Sequence, residues 1–259
     1  MASCHGVHAL HPRHFCLPFL HVNIILFHLS EVELPLSRHN PRAIHLLEVL
    51  RRKPGDLFDA GILNGPRGKG TLLAITDDTL ALSFKWGEPP PTLAQLHLLI
   101  GLPRPPTARD ILRDATALGV AAMHFVRAEK CEPSYAQSNL WRSAEWEDCI
   151  ISGAAQAFCT RLPEVTHGRT VAEAVRALPV DGTRLVLDNY EATAALATCA
   201  LSGPPAVLAF GPERGWSAAE RDLFRANGFE LVHLGARVLR AETACVAAVT
   251  LLKSRLGWL

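Results

Sequence analysis

The sequence carries almost no net charge and contains no closely spaced cysteine pair. With 26 lysines and arginines and 25 aspartates and glutamates, the formal charge is +1 and the pI is about 7.7. Domains that bind nucleic acids often have a pI above ~9, so the average composition gives no sign of such a partner. The seven cysteines never show Cys-x-x-Cys spacing. This excludes a zinc ribbon and a disulfide framework, and it favours reduced thiols in a cytoplasmic protein.

Long apolar runs are missing as well. No stretch reaches the ~18 consecutive apolar residues that would suggest a membrane span. Residues 15–29 are mostly apolar, but polar residues interrupt them and no small-x-small cleavage motif follows, which argues against a signal peptide. Six of the twelve histidines lie within the first 28 residues. They could bind a metal, but we favour a disordered or non-native extension over residues 1–22 and predict no metal site.

Residues 23–86 show the pattern of short strands and turns. Seven basic side chains and only three acidic ones occur from Arg38 to Lys69, so this stretch has a local charge of +4. It is either a solvated surface or a patch for nucleic acid. We predict a small β-barrel that ends at a proline-rich linker, residues 87–93. A strand, a short helix, a glycine-rich turn and a hairpin are predicted at 24–27, 41–50, 64–70 and 71–84.

From residue 94 onward, strands alternate with helices, which predicts a mostly parallel sheet covered by helices. Two capping boxes, Thr107-x-x-Asp110 and Ser217-x-x-Glu220, are predicted to begin helices. The fold class is therefore α/β, with residues 94–259 forming one large domain. Strands are predicted at 96–100, 121–127, 184–188, 207–210 and 230–234, and further helices at 141–159 and 241–256.

Two loops in this domain lie where a ligand is expected, because open α/β sheets bind ligands beyond the carboxyl ends of their strands. The first, residues 211–215, is Gly-Pro-Glu-Arg-Gly between a strand and a helix. Its glycines and the free N–H groups of the helix could hold a ligand, or it could be an ordinary turn. The second, residues 234–244, brings two arginines, a glutamate and a threonine to a strand-to-helix junction. Arg240 and Glu242 could instead be surface ion-pair partners.

The two loops together are far more specific than either alone. Gly-Pro-Glu-x-Gly-[aromatic]-Ser is followed, after one helix and one strand, by Leu-Gly-x-Arg-[aliphatic]-Leu-Arg-x-Glu-Thr-Ala. This combination resembles the RsmE-type family, which methylates N3 of a uridine in small-subunit (16S) ribosomal RNA. The resemblance covers residues 23–259 and includes the segments 45–51, 53–56 and 117–120.

The resemblance implies a fold, a cofactor and partners. It implies a SPOUT α/β domain with a C-terminal trefoil knot, preceded by a small PUA-like RNA-binding β-barrel. It also implies S-adenosyl-L-methionine as cofactor, ribosomal RNA or the small ribosomal subunit as partner, and a homodimer in the cytoplasm. The implied cofactor-binding residues are Leu187, Phe210, Gly211, Pro212, Glu213, Gly215, Leu234, Gly235, Val238, Leu239, Arg240 and Thr243.

Catalytic roles follow from the chemistry of the uridine imide. N3 attacks best after losing its proton, which leaves negative charge on O2 and O4 that a nearby cation would stabilise. Arg240 is the first candidate for that cation and Arg237 the second, while Glu242 or Glu213 could accept the proton. The RNA-binding residues that we expect are Arg38, Arg42, Arg51, Arg52, Lys53, Arg67, Lys69 and Arg104.

The sequence also allows other functions. A non-catalytic RNA-binding relative, or a methyltransferase acting on another RNA site, would keep the fold, and Arg214, Asp114 and Ala117 depart from the residues usual in the family. A dinucleotide-dependent oxidoreductase is excluded, because prolines after the strand 96–100 forbid a Gly-x-Gly-x-x-Gly turn. The aromatic residues Tyr135 and Trp141 could stack on a flipped base or simply pack in the core.

Overall fold

The computed structural model describes residues 24–259. The predictions for residues 1–22, with their histidines and two cysteines, and for the family-like start at Asn23 lie outside these residues. Two β-sheets organise the described chain, one within residues 25–86 and one within residues 94–233. Among the described residues, no helix combines the length and the apolar character that crossing a membrane requires.

The N-terminal sheet is curled and has five strands. They are β1 (Ile25–Phe27), β2 (Leu36–Ser37), β3 (Leu57–Ile62), β4 (Arg67–Ile75) and β5 (Thr79–Trp86), in the order β1-β3-β4-β5-β2. β1 is parallel to β3, and the other pairs are antiparallel. The sheet buries Phe27, Leu46, Leu72 and Leu80 in one core. The predicted barrel-like N-terminal part of the fold is therefore confirmed.

Glycines in the stretch predicted as a turn serve a different purpose. The turn at 64–70 is shorter than predicted, because β4 begins at Arg67. A Cβ on Gly68 would lie 2.1 Å from the carbonyl oxygen of Lys85, and one on Gly70 would lie 2.3 Å from the Phe58 ring. These two glycines therefore permit close packing inside the sheet.

The second sheet is parallel and has seven strands. They are β6 (Ala94–Gly101), β7 (Val120–Arg127), β8 (Glu164–Thr170), β9 (Thr183–Leu187), β10 (Ala194–Ala195), β11 (Ala206–Phe210) and β12 (Glu230–His233). Their order is β10-β12-β9-β11-β6-β7-β8. The predicted α/β class with a parallel sheet is confirmed.

Helices cover both faces of this sheet, as alternation of strands and helices requires. One apolar core lies between the sheet and α2, α4 and α7, and a second lies between the sheet and α5 and α6. The helices of the whole chain are α1 (Pro41–Ile44), α2 (Pro105–Ala117), α3 (Asn139–Arg142), α4 (Glu145–Gln156), α5 (Val171–Ala177), α6 (Ala218–Ala226) and α7 (Ala241–Arg255).

The last strand is inserted among earlier ones. β12 lies between β9 and β10, although residues 188–193 already join those two strands along the chain. The insertion agrees with the knotted C-terminal topology that the family resemblance implies.

Several local predictions are wrong, each for a physical reason. α2 begins at Pro105 rather than Thr107, because prolines suit the first positions of a helix. The helix predicted at 141–159 is interrupted at Ala144, whose φ of 58° separates α3 from α4. The helix predicted at 41–50 is α1 followed by a wider helical turn over His45–Val49. β8 was not predicted, because it is a largely polar edge strand without apolar alternation. α5 was not predicted either, although the capping box Thr170-x-x-Glu173 marks its start.

The N-terminal domain packs against the end of α4. Leu26 of β1 packs on Ala154 of that helix. Arg67 donates a hydrogen bond to the carbonyl oxygen of Phe158 at 3.1 Å, and its guanidinium carbon lies 5.8 Å from the centre of the Phe158 ring. Arg67, predicted to bind RNA, thus contributes to the contact between the two domains.

Candidate active site

A cavity of about 240 Å³ lies where β9, β11 and β12 reach their carboxyl ends and α7 begins. Its position is the one expected for the ligand site of an open α/β sheet. Three loops form its walls, those that follow β9, β11 and β12. Its lining residues are Leu187, Asp188, Asn189, Tyr190, Phe210, Gly211, Pro212, Glu213, Gly215, Leu234, Arg237, Val238, Leu239, Ala241 and Ala244.

The loop after β11 is folded tightly back on itself. A Cβ on Gly211 would lie 3.0 Å from the Cα atom of Gly215, whose φ is +67° and whose N–H donates to the carbonyl of Pro212 at 2.7 Å. Both glycines are therefore required by the backbone. Because neither carries a side chain, a ligand in the cavity can approach the backbone of this loop directly.

Side chains from neighbouring loops hold this loop in place. Glu213 accepts the backbone N–H of Arg104 at 3.0 Å, which ties the loop to the start of α2. Lys130, beyond β7, donates to the carbonyl oxygens of Arg214 at 3.4 Å and Trp216 at 2.9 Å. The Trp216 side chain is fully buried beneath the loop. The cavity wall is thus preorganised by contacts outside the cavity.

A buried ion pair shapes the wall that follows β9. Asp188 accepts the backbone N–H groups of Tyr190 and Glu191 at 2.8 and 2.7 Å, and Arg221 of α6 donates to its second oxygen at 2.7 Å. The side chains of Asp188 and Arg221 are 1% and 7% exposed. Burial opposes ionisation of Asp188, but Arg221 and the two N–H groups outweigh it and lower the pKa of the carboxyl.

Tyr190 connects this wall to the glycine loop. Its ring edge lies 3.2 Å from the position that a Cβ on Gly215 would occupy, and the Arg221 guanidinium lies 5.2 Å from the ring centre. The side chain is nevertheless 72% exposed. Sequence analysis missed Asp188, Tyr190 and Arg221. The strand predicted at 184–188 ends in Asp188, and the two loops that were identified as ligand sites also follow the ends of predicted strands.

Comparison with known proteins assigns this arrangement to a family. A family model described as an RNA methyltransferase domain matches residues 89–253. The chain is 37% identical to the ribosomal RNA small subunit methyltransferase E of Treponema pallidum over 251 residues, 92% of this chain and 93% of that protein. The chain belongs to this RNA methyltransferase family. A second relative, ribosomal RNA small subunit methyltransferase E 1 of Borreliella burgdorferi, is 28% identical and covers 91% of this chain and 99% of its own length.

Solved structures support the same fold for this methyltransferase family member. A ribosomal RNA small subunit methyltransferase E from Neisseria gonorrhoeae, bound to S-adenosyl methionine, superposes with a TM-score of 0.70 at 23% identity, over 90% of this chain and 98% of its own. The methyltransferase Lpg2936 of Legionella pneumophila, described as putative and solved with bound SAM, gives 0.75 at 22% identity, over 90% and 97%. Because both identities are below 25%, these two structures support the fold alone.

Nine of the twelve residues predicted to bind a cofactor in this methyltransferase line the cavity. The exceptions are Gly235, Arg240 and Thr243. Gly235 lines a neighbouring cavity of about 320 Å³ together with Arg237 and Val238. No atom lies within 4 Å of the position of a Cβ on Gly235, so its φ of +109° is what favours glycine there.

Arg240, the first candidate cation, and Glu242, a candidate proton acceptor, do not line the cavity, although each is next to a residue that does. Arg240 is the exposed residue that immediately precedes α7, between Leu239 and Ala241, which both line the cavity. Glu242 lies in the first turn of α7 and is half-buried. Between residues 24 and 259, neither side chain forms an ion pair, so the alternative of an Arg240–Glu242 surface pair is not observed. Arg237, the second candidate cation, lines the cavity itself.

Five of the eight basic residues predicted to bind RNA make side-chain contacts within the protein. Two of them are engaged in ion pairs: Arg42 with Glu31 at 2.5 Å, and Lys69 with Asp59 at 2.5 Å. Arg67 serves the domain contact described above. The Arg104 side chain bonds Thr107 at 3.2 Å, and Arg38 bonds a main-chain carbonyl at 3.2 Å. Arg51 and Lys53 are exposed, whereas Arg52 is half-buried.

Proposed function

We propose that the chain uses S-adenosylmethionine to methylate N3 of a uridine in small-subunit ribosomal RNA. One observation carries the proposal: the two loops that resemble the uridine-N3 family meet around one cavity at the carboxyl edge of the parallel sheet. The relatives that match almost the full chain are named ribosomal RNA small subunit methyltransferases.

The residues of the cavity fit this cofactor chemically. Leu187, Leu234 and Leu239 offer apolar surface for an adenine ring, and the loop 211–215 exposes backbone N–H and carbonyl groups for polar atoms. Glu213 also lines the cavity, and its carboxylate suits a cofactor that carries a sulfonium and an ammonium group. Bound there, the cofactor would supply an electrophilic methyl group.

The chain's own residues position and polarise the uridine. Losing the N3 proton leaves negative charge on O2 and O4. The guanidinium of Arg240, whose two sequence neighbours line the cavity, is our candidate to stabilise this charge, with Arg237 as the second. Glu242 is the better candidate for proton acceptor, because Glu213 already accepts the N–H of Arg104. Precise positioning supplies most of the rate in such transfers.

We also propose that the enzyme is a homodimer whose interface borders the cavity. Val238 and Leu239 are apolar but 79% and 36% exposed beside the cavity, and Val246 on α7 is 36% exposed. A second copy covering this surface would bury it and enclose the ligand. Light scattering should give twice the 28.2 kDa chain mass at micromolar concentration; a mass of one chain would contradict the dimer. A cytoplasmic location follows from the proposed ribosomal substrate.

A calorimetric titration with S-adenosylmethionine, combined with methyl transfer to small ribosomal subunits, tests the proposed function. We expect saturable binding and incorporation of methyl groups into the RNA. The main rival, a non-catalytic RNA-binding relative, would bind RNA but neither bind the cofactor nor transfer methyl groups. A titration without heat of binding would therefore favour that rival.

A further inference from the structure

Two further cavities continue the first one along the carboxyl edge of the sheet. The edge runs in the order β9-β11-β6-β7-β8. The second cavity, of about 290 Å³, shares Glu213 with the first and reaches Arg104, Lys130 and Tyr135 beyond β6 and β7. The third, of about 190 Å³, lies beyond β7 and along β8. Residues of two segments, 102–104 and 135–137, connect the second cavity to the third. Arg104 and Tyr135 line the second cavity, whereas Leu102, Ala136 and Gln137 line the third. The three cavities therefore form one row.

The third cavity presents hydrogen-bond donors that the protein does not use. Its lining includes Arg127, Gln137 and His167. Within residues 24–259, the side chains of these three residues make no hydrogen bond or ion pair. The imidazole of His167 lies against the ring of Trp141, with 5.0 Å between the ring centres. Arg127 is exposed and is the last residue of β7. Its planar guanidinium is suited to two acceptor oxygens of one phosphate.

The backbone beside these donors is also specialised. The pairing of β7 with β8 shifts by one residue between Phe125 and Val126, opposite Gly168. Gly168 has a φ of +87°, and nothing lies within 4 Å of the position of its Cβ. The glycine is therefore there for its conformation, a bulge in an edge strand, and not for close packing. The bulge lies in the lining of the third cavity, and bulges are common next to functional sites.

We infer that the third cavity binds a backbone phosphate of the RNA that flanks the target nucleotide, with Arg127 as the principal cation. The inference rests on the proposed function, because it assumes that the target base lies next to the first cavity. A single strand with that base near Glu213 and Tyr135 would run along the row of cavities toward β8. Phosphate contacts of this kind position the strand without reading its sequence.

Salt-dependent binding of a small-subunit ribosomal RNA fragment to the full chain tests the inference. Fluorescence anisotropy is measured over a series of KCl concentrations for wild type, Arg127→Gln and Arg127→Lys. Arg176→Gln is the matched control, because Arg176 is an exposed arginine on α5 that lines none of the three cavities. For Arg127→Gln we expect the slope of log Kd against log salt to be smaller by ~0.7, as loss of one phosphate contact with a single strand implies. Affinity near 0.1 M salt should fall roughly fivefold.

The variants separate a phosphate contact from a structural role. Arg127→Lys should keep the wild-type slope, because lysine retains the charge, and all variants should keep the wild-type melting temperature and cofactor affinity. The inference would be overturned by a wild-type salt slope for Arg127→Gln, or by an equal loss of RNA affinity for Arg176→Gln. In either case, methyl transfer by the wild-type chain would leave the proposed function standing. If the wild-type chain neither binds nor methylates the RNA, the proposed function fails and this inference fails with it.

Discussion

Asp188→Asn tests whether the buried ion pair beneath the cavity fixes the shape of its wall. The substitution keeps the size of the side chain, and its amide oxygen can still accept the N–H groups of Tyr190 and Glu191. What it removes is the negative charge that faces Arg221 at 2.7 Å. Arg221 then stays 7% exposed without its main counter-charge. The perturbation is therefore electrostatic and local.

The expected cost follows from the burial of the pair. Removing one partner of a buried ion pair typically destabilises a protein by ~3–5 kcal/mol, because the other charge is left desolvated. Here Glu191 remains 3.1 Å from Arg221 and compensates in part. We therefore expect a loss of about 3 kcal/mol in the free energy of unfolding. Because residues 188–190 line the cavity, cofactor affinity should also fall, by roughly tenfold, which corresponds to ~1.4 kcal/mol.

Urea unfolding and calorimetric titration with S-adenosylmethionine measure the two effects. Asp222→Asn is the control, because Asp222 forms a one-turn ion pair with Arg225 on the surface and its side chain is 76% exposed. The control should change stability by no more than ~0.5 kcal/mol and leave cofactor affinity unchanged. If Asp188→Asn behaves like the control in both assays, the ion pair does not organise the wall and our account of it is wrong.

Three further predictions concern the active site and pH. Arg240→Ala should lower the rate of methyl transfer by ~10²–10³ with little change in cofactor affinity, and near-normal turnover of this variant would contradict the catalytic role. Gly235→Val should instead weaken cofactor binding, because valine is strained at a φ of +109°. Arg42 lowers the pKa of Glu31 from 4.5 to about 2. The stability that this ion pair provides above pH 4.5 should therefore be lost as the pH falls toward 2. Glu31→Gln should lower the free energy of unfolding by about 1–2 kcal/mol at neutral pH and flatten this pH dependence. Burial, with smaller contributions from His97 and Arg169, lowers the pKa of His124 from 6.5 to about 4. The unfolded chain then binds the proton more readily, so stability should fall by up to ~2 kcal/mol between pH 6.5 and 5. His124→Gln should reduce that slope in thermal melts without removing it, because burial lowers the pKa of His97 as well.

Features encoded within a few residues were predictable from the sequence. Ser217 accepts the N–H of Glu220 while Glu220 accepts that of Ser217, as its capping box predicts. The same pattern at Thr107 fails, because the prolines before it extend the helix backwards. Local spacing therefore succeeds where nothing upstream competes with it.

Features that depend on distant contacts were not predictable in this way. Asp188 and Arg221 are 33 residues apart, and only the folded sheet brings them together. The sequence predicts Gly68 in a turn, whereas the structure shows that the neighbouring strand at Lys85 leaves no room for a side chain there. The insertion of β12 between β9 and β10 has no signature in hydrophobic periodicity, so the knotted topology was expected from the family resemblance alone. The resemblance identified nine cavity residues but none of the loop that follows β9.

Mass spectrometry of ribosomal RNA nucleosides tests the central claim most directly. Small-subunit RNA is compared between cells that contain this protein and cells that lack it, with the wild-type chain or Arg240→Ala restored in the latter. We predict that N3-methyluridine disappears when the protein is absent, returns with the wild-type chain and stays strongly reduced with Arg240→Ala. An unchanged amount of N3-methyluridine in cells without the protein would contradict the proposed function.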